Sequence, residues 1–245
     1  MSKRIAIVFN LVFVALLLQA CSKEDESMTN TPNTPDPDPE MPQALRYLAL
    51  GDSYTIGESV AEIDRWPVQL ASELSDKGFN VAETEIIAQT GWTTGELKQG
   101  IEAVDPQGPY DLVSLLIGVN NQFRGLDTAA FRLEFRELIS LSISYAGNDT
   151  GRVIVVSIPD YGVTPFAQNM DTEKIAREID AFNAIKLDEA MDAGVAFVDV
   201  TPISRQAAQY PSLIADDGLH PSAEMYAKWV ELILPVAEEM VENPQ

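Results

Sequence analysis

Short apolar runs alternate with longer segments of helical spacing from about residue 45 to residue 240, and no other feature limits the possible folds as strongly. The apolar runs are near-continuous and rich in β-branched residues, which is typical of strands buried on both faces. The predicted strands are Tyr47–Leu50, Glu85–Ala88, Leu112–Ile117, Val153–Ile158 and Val195–Val200. The predicted helices are Trp66–Lys77, Thr94–Val104, Thr128–Tyr145, Glu173–Ala193 and Ser222–Met240.

This alternation predicts an α/β fold, a three-layer α/β/α sandwich in which helices cover both faces of a parallel sheet. Right-handed crossovers connect successive strands in such a sheet, and about 200 residues suffice for one core of this kind. We therefore expect a single domain over residues 44–245. Because ligands bind beyond the carboxyl ends of the strands in such sheets, the residues that follow each strand are the candidates for chemistry.

The charge balance and the two rarest residue types exclude several classes of function. The chain has 38 Asp and Glu but only 16 Lys and Arg, and its net charge of −22 would repel phosphate backbones and anionic lipid headgroups. We therefore expect no nucleic-acid partner. Cys21 is the only cysteine and His220 the only histidine. The sequence thus excludes an intrachain disulfide and a site with several His or Cys metal ligands, and any histidine chemistry depends on His220.

The first 20 residues have the organisation of a secretory signal peptide. Two basic residues precede an apolar run, Ile5–Leu18, which is too short to cross a bilayer comfortably as a helix. The small Ala20 directly before Cys21 resembles the lipobox of bacterial lipoproteins. That resemblance implies that residues 1–20 are removed and that the Cys21 thiol is lipidated. The alternative is an ordinary signal peptide beside a chance cysteine.

Residues 21–43 form a predicted tether between the lipid and the domain. The segment is polar, contains five prolines and has too few apolar residues to bury a core. Its Asp-Pro repeats favour an extended polyproline II conformation. The cluster Lys23–Glu26 resembles an export signal of some Gram-negative lipoproteins, although a solvated charge run would look the same. We expect a protein secreted through the inner membrane and anchored by lipid in the bacterial cell envelope, at the outer membrane, with no other membrane contact.

Four polar turns follow predicted strands or precede the last predicted helix. Each has an ordinary structural explanation when it is considered alone: a turn or helix N-cap, a loop glycine, an Asn that caps the local backbone, and a structural His. The turns are Gly51-Asp52-Ser53-Tyr54, Gln89-Thr90-Gly91-Trp92, Gly118-Val119-Asn120-Asn121 and Asp217-Gly218-Leu219-His220-Pro221-Ser222.

Together the four turns match one family in order and position. The predicted domain resembles the SGNH hydrolases, the GDSL-type esterases and lipases, whose four blocks carry Ser, Gly, Asn and His. The resemblance implies that Ser53 is the nucleophile and that His220 and Asp217 complete a catalytic triad. It also implies an oxyanion hole formed by the Ser53 amide, Gly91 and Asn120.

The same resemblance implies a flavodoxin-like fold with a central sheet of about five parallel strands. One position departs from the family pattern: Asn121 stands where the third block usually has Asp. Because the Asn120 amide is retained, we expect this departure to affect local support more than activity.

The chemistry of the residues agrees with these roles. Serine is a poor nucleophile at neutral pH unless a base takes its proton, and His220 is the only imidazole. A carboxylate beside the ring can hold one tautomer and stabilise the imidazolium. Asp216 and Asp217 both lie close in sequence, and the three-residue spacing of the family block favours Asp217. Such a mechanism requires no metal or organic cofactor.

The expected function is serine-dependent hydrolysis of carboxylic esters through an acyl-enzyme, with an acyl-lipid or O-acetylated carbohydrate as substrate. Phe123, Tyr161, Phe166 and Tyr210 could line an acyl groove, or they could be ordinary core and loop aromatics. Two alternatives remain open. One is a non-catalytic surface binding lipoprotein on the same fold, and the other is a thioesterase or peptidase that uses the same triad.

Overall fold

A computed structural model describes residues 44–242 of the chain. The predicted signal peptide, the predicted lipidation site Cys21 and the predicted tether all lie outside the described residues. No helix within residues 44–242 is long and apolar enough to cross a membrane.

The sheet has five strands, all parallel, in the order β2-β1-β3-β4-β5. This is the strand order of flavodoxin-like folds, and it confirms the predicted fold class. Gly51 at the end of β1 pairs with both Ala88 at the end of β2 and Leu116 at the end of β3, so the carboxyl ends of these three strands lie level. The strands are β1 (Leu45–Gly51), β2 (Val81–Ala88), β3 (Leu112–Leu116), β4 (Val153–Val156) and β5 (Ala196–Val198).

Five long helices connect or follow the strands as predicted, and three short helices begin close after β1, β3 and β5. Helix α2 packs against α8, and α5 packs against both α3 and α6, so two groups of helices flank the sheet. The helices are α1 (Ser53–Ile56), α2 (Trp66–Asp76), α3 (Thr94–Val104), α4 (Val119–Phe123), α5 (Thr128–Tyr145), α6 (Thr172–Ala193), α7 (Thr201–Arg205) and α8 (Ala223–Glu242).

Three strands end earlier than the apolar runs predict, because backbone groups at their ends form hydrogen bonds with side chains and not with a neighbouring strand. The N–H and carbonyl of Ile158 both bond to the Asn183 side chain, so β4 stops at Val156. The carbonyl of Ile117 accepts a hydrogen bond from Lys186, one residue after β3 ends. In β5 the N–H of Val200 donates to the Ser157 hydroxyl. Backbone groups at the carboxyl edge are therefore bonded to side chains.

The core lies between the sheet and the two helix groups. Every residue of β3 and β4 is buried, as predicted for central strands covered on both faces. Trp66 at the start of α2 and Trp229 in α8 are fully buried, and burial of one large apolar side chain contributes about 1.5–3 kcal/mol. This packing fixes α8, and with it the loop that carries His220.

Candidate active site

The turn between β1 and α1 presents Ser53 at the carboxyl edge of the sheet. Gly51 must be glycine, because a Cβ there would lie 2.1 Å from the Thr55 hydroxyl and 2.4 Å from the Leu116 carbonyl. Asp52 then caps α1, and its Oδ1 accepts a 3.0 Å hydrogen bond from the Tyr54 N–H. Ser53 is therefore the first residue of a helix that begins at once after a buried strand.

His220 lies in the loop before α8, and Asp217 fixes its position. Oδ2 of Asp217 lies 2.6 Å from His220 Nδ1. Oδ1 accepts backbone hydrogen bonds from Leu219 at 2.9 Å and from His220 at 3.0 Å. One carboxylate thus holds both the loop and the ring. Asp216, the competing carboxylate, forms no hydrogen bond with His220 in the described part of the chain.

Hydrogen bonds keep Asp217 ionised. Burial raises its pKa, but hydrogen bonds from the His220 ring, the Ser59 hydroxyl and two backbone N–H groups lower the pKa by more, to well below its usual value. The Ser59 hydroxyl donates to Oδ2 at 2.7 Å. A stable negative charge beside Nδ1 suits an imidazole that must accept a proton on its other nitrogen.

Gly91 and Asn120 follow the strands on either side of β1. Gly91 has a φ of +86°, and its carbonyl accepts a 2.5 Å hydrogen bond from Arg124 Nη2. The side-chain amide of Asn120 donates to the Trp92 carbonyl at 2.9 Å. Since an amide carries two N–H groups, the second is available to a ligand. Side-chain hydrogen bonds hold both residues, while the Gly91 N–H and the second Asn120 N–H have no partner within residues 44–242.

One pocket of about 130 Å³ is lined by Ser53, Gly91, Asn120 and His220. Asp217 is hydrogen-bonded to the His220 ring. No hydrogen bond joins the Ser53 and His220 side chains among the described contacts. In unliganded enzymes this bond is often long, and it tightens when substrate binds. The structure therefore brings together all five residues selected from the sequence.

The remaining lining of the pocket is mainly apolar. Phe123, Tyr161 and Phe166 form a cluster at the pocket, with ring centroids 6.0–6.4 Å apart. Phe123 and Phe166 remain 52% and 42% exposed. Tyr210, the fourth aromatic suggested for a groove, does not line the pocket and is exposed. Tyr210 lies in the segment between α7 and the His220 loop. Its proximity to His220 in sequence therefore does not place it at the pocket.

Asn121 holds the loop after β3, which carries the predicted oxyanion donor Asn120, against the start of α3. Its Oδ1 accepts from the Thr94 N–H at 3.0 Å, and its Nδ2 donates to the Thr94 hydroxyl at 2.7 Å. That hydroxyl in turn donates to Glu134. Because its single proton is committed to Glu134, the Thr94 oxygen needs a donor from position 121, which Asn supplies and ionised Asp does not. The departure from the family pattern thus has a local structural explanation.

Sequence reasoning missed two side chains near this site. Nothing in the sequence marks Ser59, whose backbone φ is +67°. Lys186 did leave a signal, because it occupies a position of α6 where the helical spacing of Ile175, Ile179, Phe182 and Ala190 calls for an apolar residue. A lysine at such a position is fully buried only when its charge has partners.

Comparisons with known proteins place the domain in one family. The model of the GDSL-like Lipase/Acylhydrolase family matches residues 49–228, which confirms the resemblance inferred from the four turns. No curated protein sequence matches the chain.

Solved structures share the fold at low sequence identity. TesA has a TM-score of 0.63 at 17% identity, over 80% of this chain and 99% of its own. A phospholipase A1 from Streptomyces albidoflavus NA297 has a TM-score of 0.58 at 18% identity, over 80% and 99% of the two chains. A catalytic mutant of Axe2, an acetylxylan esterase from Geobacillus stearothermophilus, has a TM-score of 0.60 at 17% identity, over 80% and 95%. The chain belongs to the GDSL-like lipase/acylhydrolase family and is an esterase of the SGNH type.

Proposed function

We propose that this esterase hydrolyses carboxylic esters through an acyl-enzyme on Ser53, with His220 as general base and Asp217 as the group that orients His220. One observation carries the proposal: the 2.6 Å contact between Asp217 Oδ2 and His220 Nδ1 holds the chain's only imidazole at the pocket that Ser53 lines. A nucleophile, a base and an orienting carboxylate in this order are the elements of a serine hydrolase.

The reaction proceeds in two steps. Nε2 of His220 takes the hydroxyl proton as Ser53 Oγ attacks the ester carbonyl, and the tetrahedral oxyanion receives hydrogen bonds from the Ser53 and Gly91 N–H groups and the Asn120 amide. Each donor of this kind contributes roughly 3 kcal/mol to transition-state stabilisation. The imidazolium then returns the proton to the leaving alcohol, which leaves an acyl group on Ser53. A water molecule, deprotonated by His220, releases the acid.

The pocket supports an ester with an apolar acyl group. Phe123, Tyr161 and Phe166 offer ring surface beside the nucleophile. Arg124, the basic side chain that bonds to the Gly91 carbonyl, is also paired with Glu96. We therefore infer that the group bound at the rings is uncharged, which suits an acyl-lipid or an acetylated carbohydrate.

A fluorophosphonate probe tests the proposal on the purified domain. We expect labelling of wild type and of Ser142→Ala, a serine-to-alanine control in α5, and at least about 100-fold slower labelling of Ser53→Ala and His220→Ala. Combining the two active-site changes should add little, because the residues act as one unit. Labelling that persists in Ser53→Ala would overturn the assignment of the nucleophile, and a wild type that hydrolyses esters without being labelled would argue against an acyl-enzyme on a serine.

A substrate panel separates ester hydrolysis from the related activities. Chromogenic oxygen esters, matched thioesters and peptide anilides of the same acyl group are compared by kcat/KM. We expect the oxygen esters to have the highest values. Preference for the thioester or the anilide, with the same dependence on Ser53, would instead identify a thioesterase or a peptidase.

We also propose that residues 1–20 are a cleaved signal, that Cys21 is lipidated and that residues 21–43 tether the domain to the bacterial cell envelope. The sequence Ala20-Cys21 and the proline-rich segment after it support this arrangement. A single acyl chain anchors a protein only marginally, so stable attachment requires several chains. Cys21→Ser in the native envelope should lose its lipid and leave the membrane fraction. Retention of a lipidated species would contradict the anchor.

A further inference from the structure

Side-chain packing does not restrain Gly91, the proposed backbone donor that follows β2. Its φ is +86°, and a Cβ at this position would meet only Arg124 within residues 44–242, apart from its chain neighbours, at 3.8 Å from Nη2. Glycine also has more conformational freedom than any other residue. Because a backbone donor stabilises an oxyanion only when it is held in place before the reaction, Gly91 needs a restraint from outside its own turn.

Arg124 supplies a restraint of this kind. Its Nη2 donates a 2.5 Å hydrogen bond to the Gly91 carbonyl. No other hydrogen bond within residues 44–242 involves Gly91. A hydrogen bond from a charged donor is stronger than one between neutral groups. The guanidinium therefore fixes the peptide group that follows Gly91 and limits rotation of the Gly91 backbone.

Glu96 orients the guanidinium. Nη1 of Arg124 donates to Glu96 Oε1 at 3.2 Å. The other carboxylate oxygen, Oε2, accepts hydrogen bonds from the Thr93 N–H at 2.8 Å and from the Thr93 hydroxyl at 3.0 Å, as part of the capping box of α3. Arg124 is thus held between a carboxylate that is fixed at the start of α3 and the carbonyl of Gly91.

Arg124 and Asn120 reach the same turn from one side of α4. Arg124 follows Asn120 by four residues and is the C-cap of α4, and its N–H donates to the Asn120 carbonyl at 3.1 Å. Residues with this spacing lie on the same face of a helix. Asn120 bonds to the Trp92 carbonyl, and Arg124 bonds to the carbonyl directly before it, that of Gly91. These two bonds join the loops that carry the proposed donors Gly91 and Asn120.

We infer that Arg124 is a positioning residue that holds the Gly91 backbone so that its N–H can donate to the oxyanion. Arg124 does not line the pocket, whereas Gly91 does, so Arg124 acts through Gly91 and not on the substrate. The inference rests on the proposed function, because it takes Gly91 as an oxyanion donor. The restraint on the Gly91 backbone does not depend on turnover and is measured separately.

Two variants of the esterase test the inference, Arg124→Met and Arg124→Lys. Met keeps an apolar stem without a donor, and Lys keeps one charged donor for the Gly91 carbonyl. Arg177→Met is the matched control, because Arg177 is an exposed arginine that pairs with Glu173. For each variant, kcat and KM are measured with a short-chain ester, together with the Ki of phenylboronic acid, whose tetrahedral adduct with a serine mimics the intermediate. Urea unfolding measures stability.

We expect Arg124→Met to lower kcat about 10- to 100-fold and to change KM less than about threefold, because the donor acts on the transition state. The Ki of the boronic acid should rise by about the same factor as kcat falls. The kcat of Arg124→Lys should be at least about threefold higher than that of Arg124→Met. Arg177→Met should change kcat no more than about twofold. Since Arg124 is partly exposed, its loss should raise the unfolding equilibrium constant no more than about tenfold.

Unchanged kcat in Arg124→Met, beside an inactive Ser53→Ala, would overturn this inference and leave the proposed function intact. A fall in kcat with unchanged binding of the boronic acid would also overturn it. Full activity in Ser53→Ala would instead defeat the proposed function. The carbonyl-carbon NMR resonance of Gly91 tests the restraint without turnover: it should shift in Arg124→Met and not in Arg177→Met. An unchanged resonance in Arg124→Met would show that Arg124 does not hold Gly91.

Discussion

The hydroxyl of Ser59 and the ring of His220 share one oxygen of Asp217: Ser59 Oγ lies 2.7 Å from Oδ2, and His220 Nδ1 lies 2.6 Å from the same atom. Ser59 is 158 residues away from Asp217 in sequence. It also has a φ of +67°, a left-handed conformation that is unfavourable for residues other than glycine. A strained residue that bonds to the carboxylate proposed to orient His220 indicates a functional constraint.

We predict that Ser59→Ala lowers kcat/KM about three- to tenfold, because one net hydrogen bond is worth about 1 kcal/mol. The variant Ser59→Gly separates the effect of losing the hydroxyl from the effect of the backbone strain at position 59. Glycine suits the left-handed conformation, so this variant should be as stable as wild type yet as slow as Ser59→Ala. Kinetics and urea unfolding check both variants. Full activity in Ser59→Gly would show that the hydroxyl does not support Asp217.

We predict that Asp217 makes stability depend on pH in a defined direction. Its pKa is lowered in the folded state, so the unfolded chain binds the proton more readily. The carboxylate therefore stabilises the fold above its unfolded pKa of about 3.9, and this contribution is lost as the pH falls below about 5. Between pH 6 and pH 3 the wild type should lose about 1 kcal/mol more than Asp217→Asn. Parallel losses in urea unfolding would contradict the prediction.

We predict that Asn121→Asp destabilises the domain by about 1–3 kcal/mol, because Thr94 would face two carboxylates with one hydroxyl proton. Glu134→Gln should rescue this variant, because Gln can donate to Thr94 while Thr94 donates to the new carboxylate. Urea unfolding of the two single variants and the double variant measures the coupling. Equal stabilities of Asn121→Asp and wild type would show that the hydroxyl proton is not committed to Glu134.

Local signals in the sequence predicted much of the fold. The predicted bounds of α3 and α5 match the structure, because each helix starts at a cap that the sequence contains. Thr93 and Glu96 form a capping box, and Asp127 accepts from two N–H groups of α5. The strand ends were less predictable, because distant side chains such as Asn183 and Lys186 bond to the backbone there.

The same contrast applies to the candidate site: residues in recognisable turns could be predicted from the sequence, whereas residues with distant partners could not. Five residues lie in recognisable turns that follow strands or precede a helix, so their convergence at one site could be predicted. They are Ser53, Gly91, Asn120, Asp217 and His220. Ser59 and Lys186 could not be assigned, because their partners lie far along the chain. The carbonyl that accepts from Lys186 is 69 residues away. Only the folded arrangement of α6 against the sheet reveals that contact.

The exposed rings of Phe123 and Phe166 give a final prediction about the acyl group. Both rings line the pocket, yet about half of each is exposed, so their removal should cost little stability. Phe123→Ala and Phe166→Ala should each raise KM for a hexanoyl ester about five- to tenfold and change KM for the acetyl ester less than twofold, since lost apolar burial costs roughly 25 cal/mol per Å². Tyr210→Ala is the matched control, because Tyr210 is exposed but lies outside the pocket. Equal changes for the two esters would place the acyl chain elsewhere, and the rings would then contact the alcohol portion of the substrate.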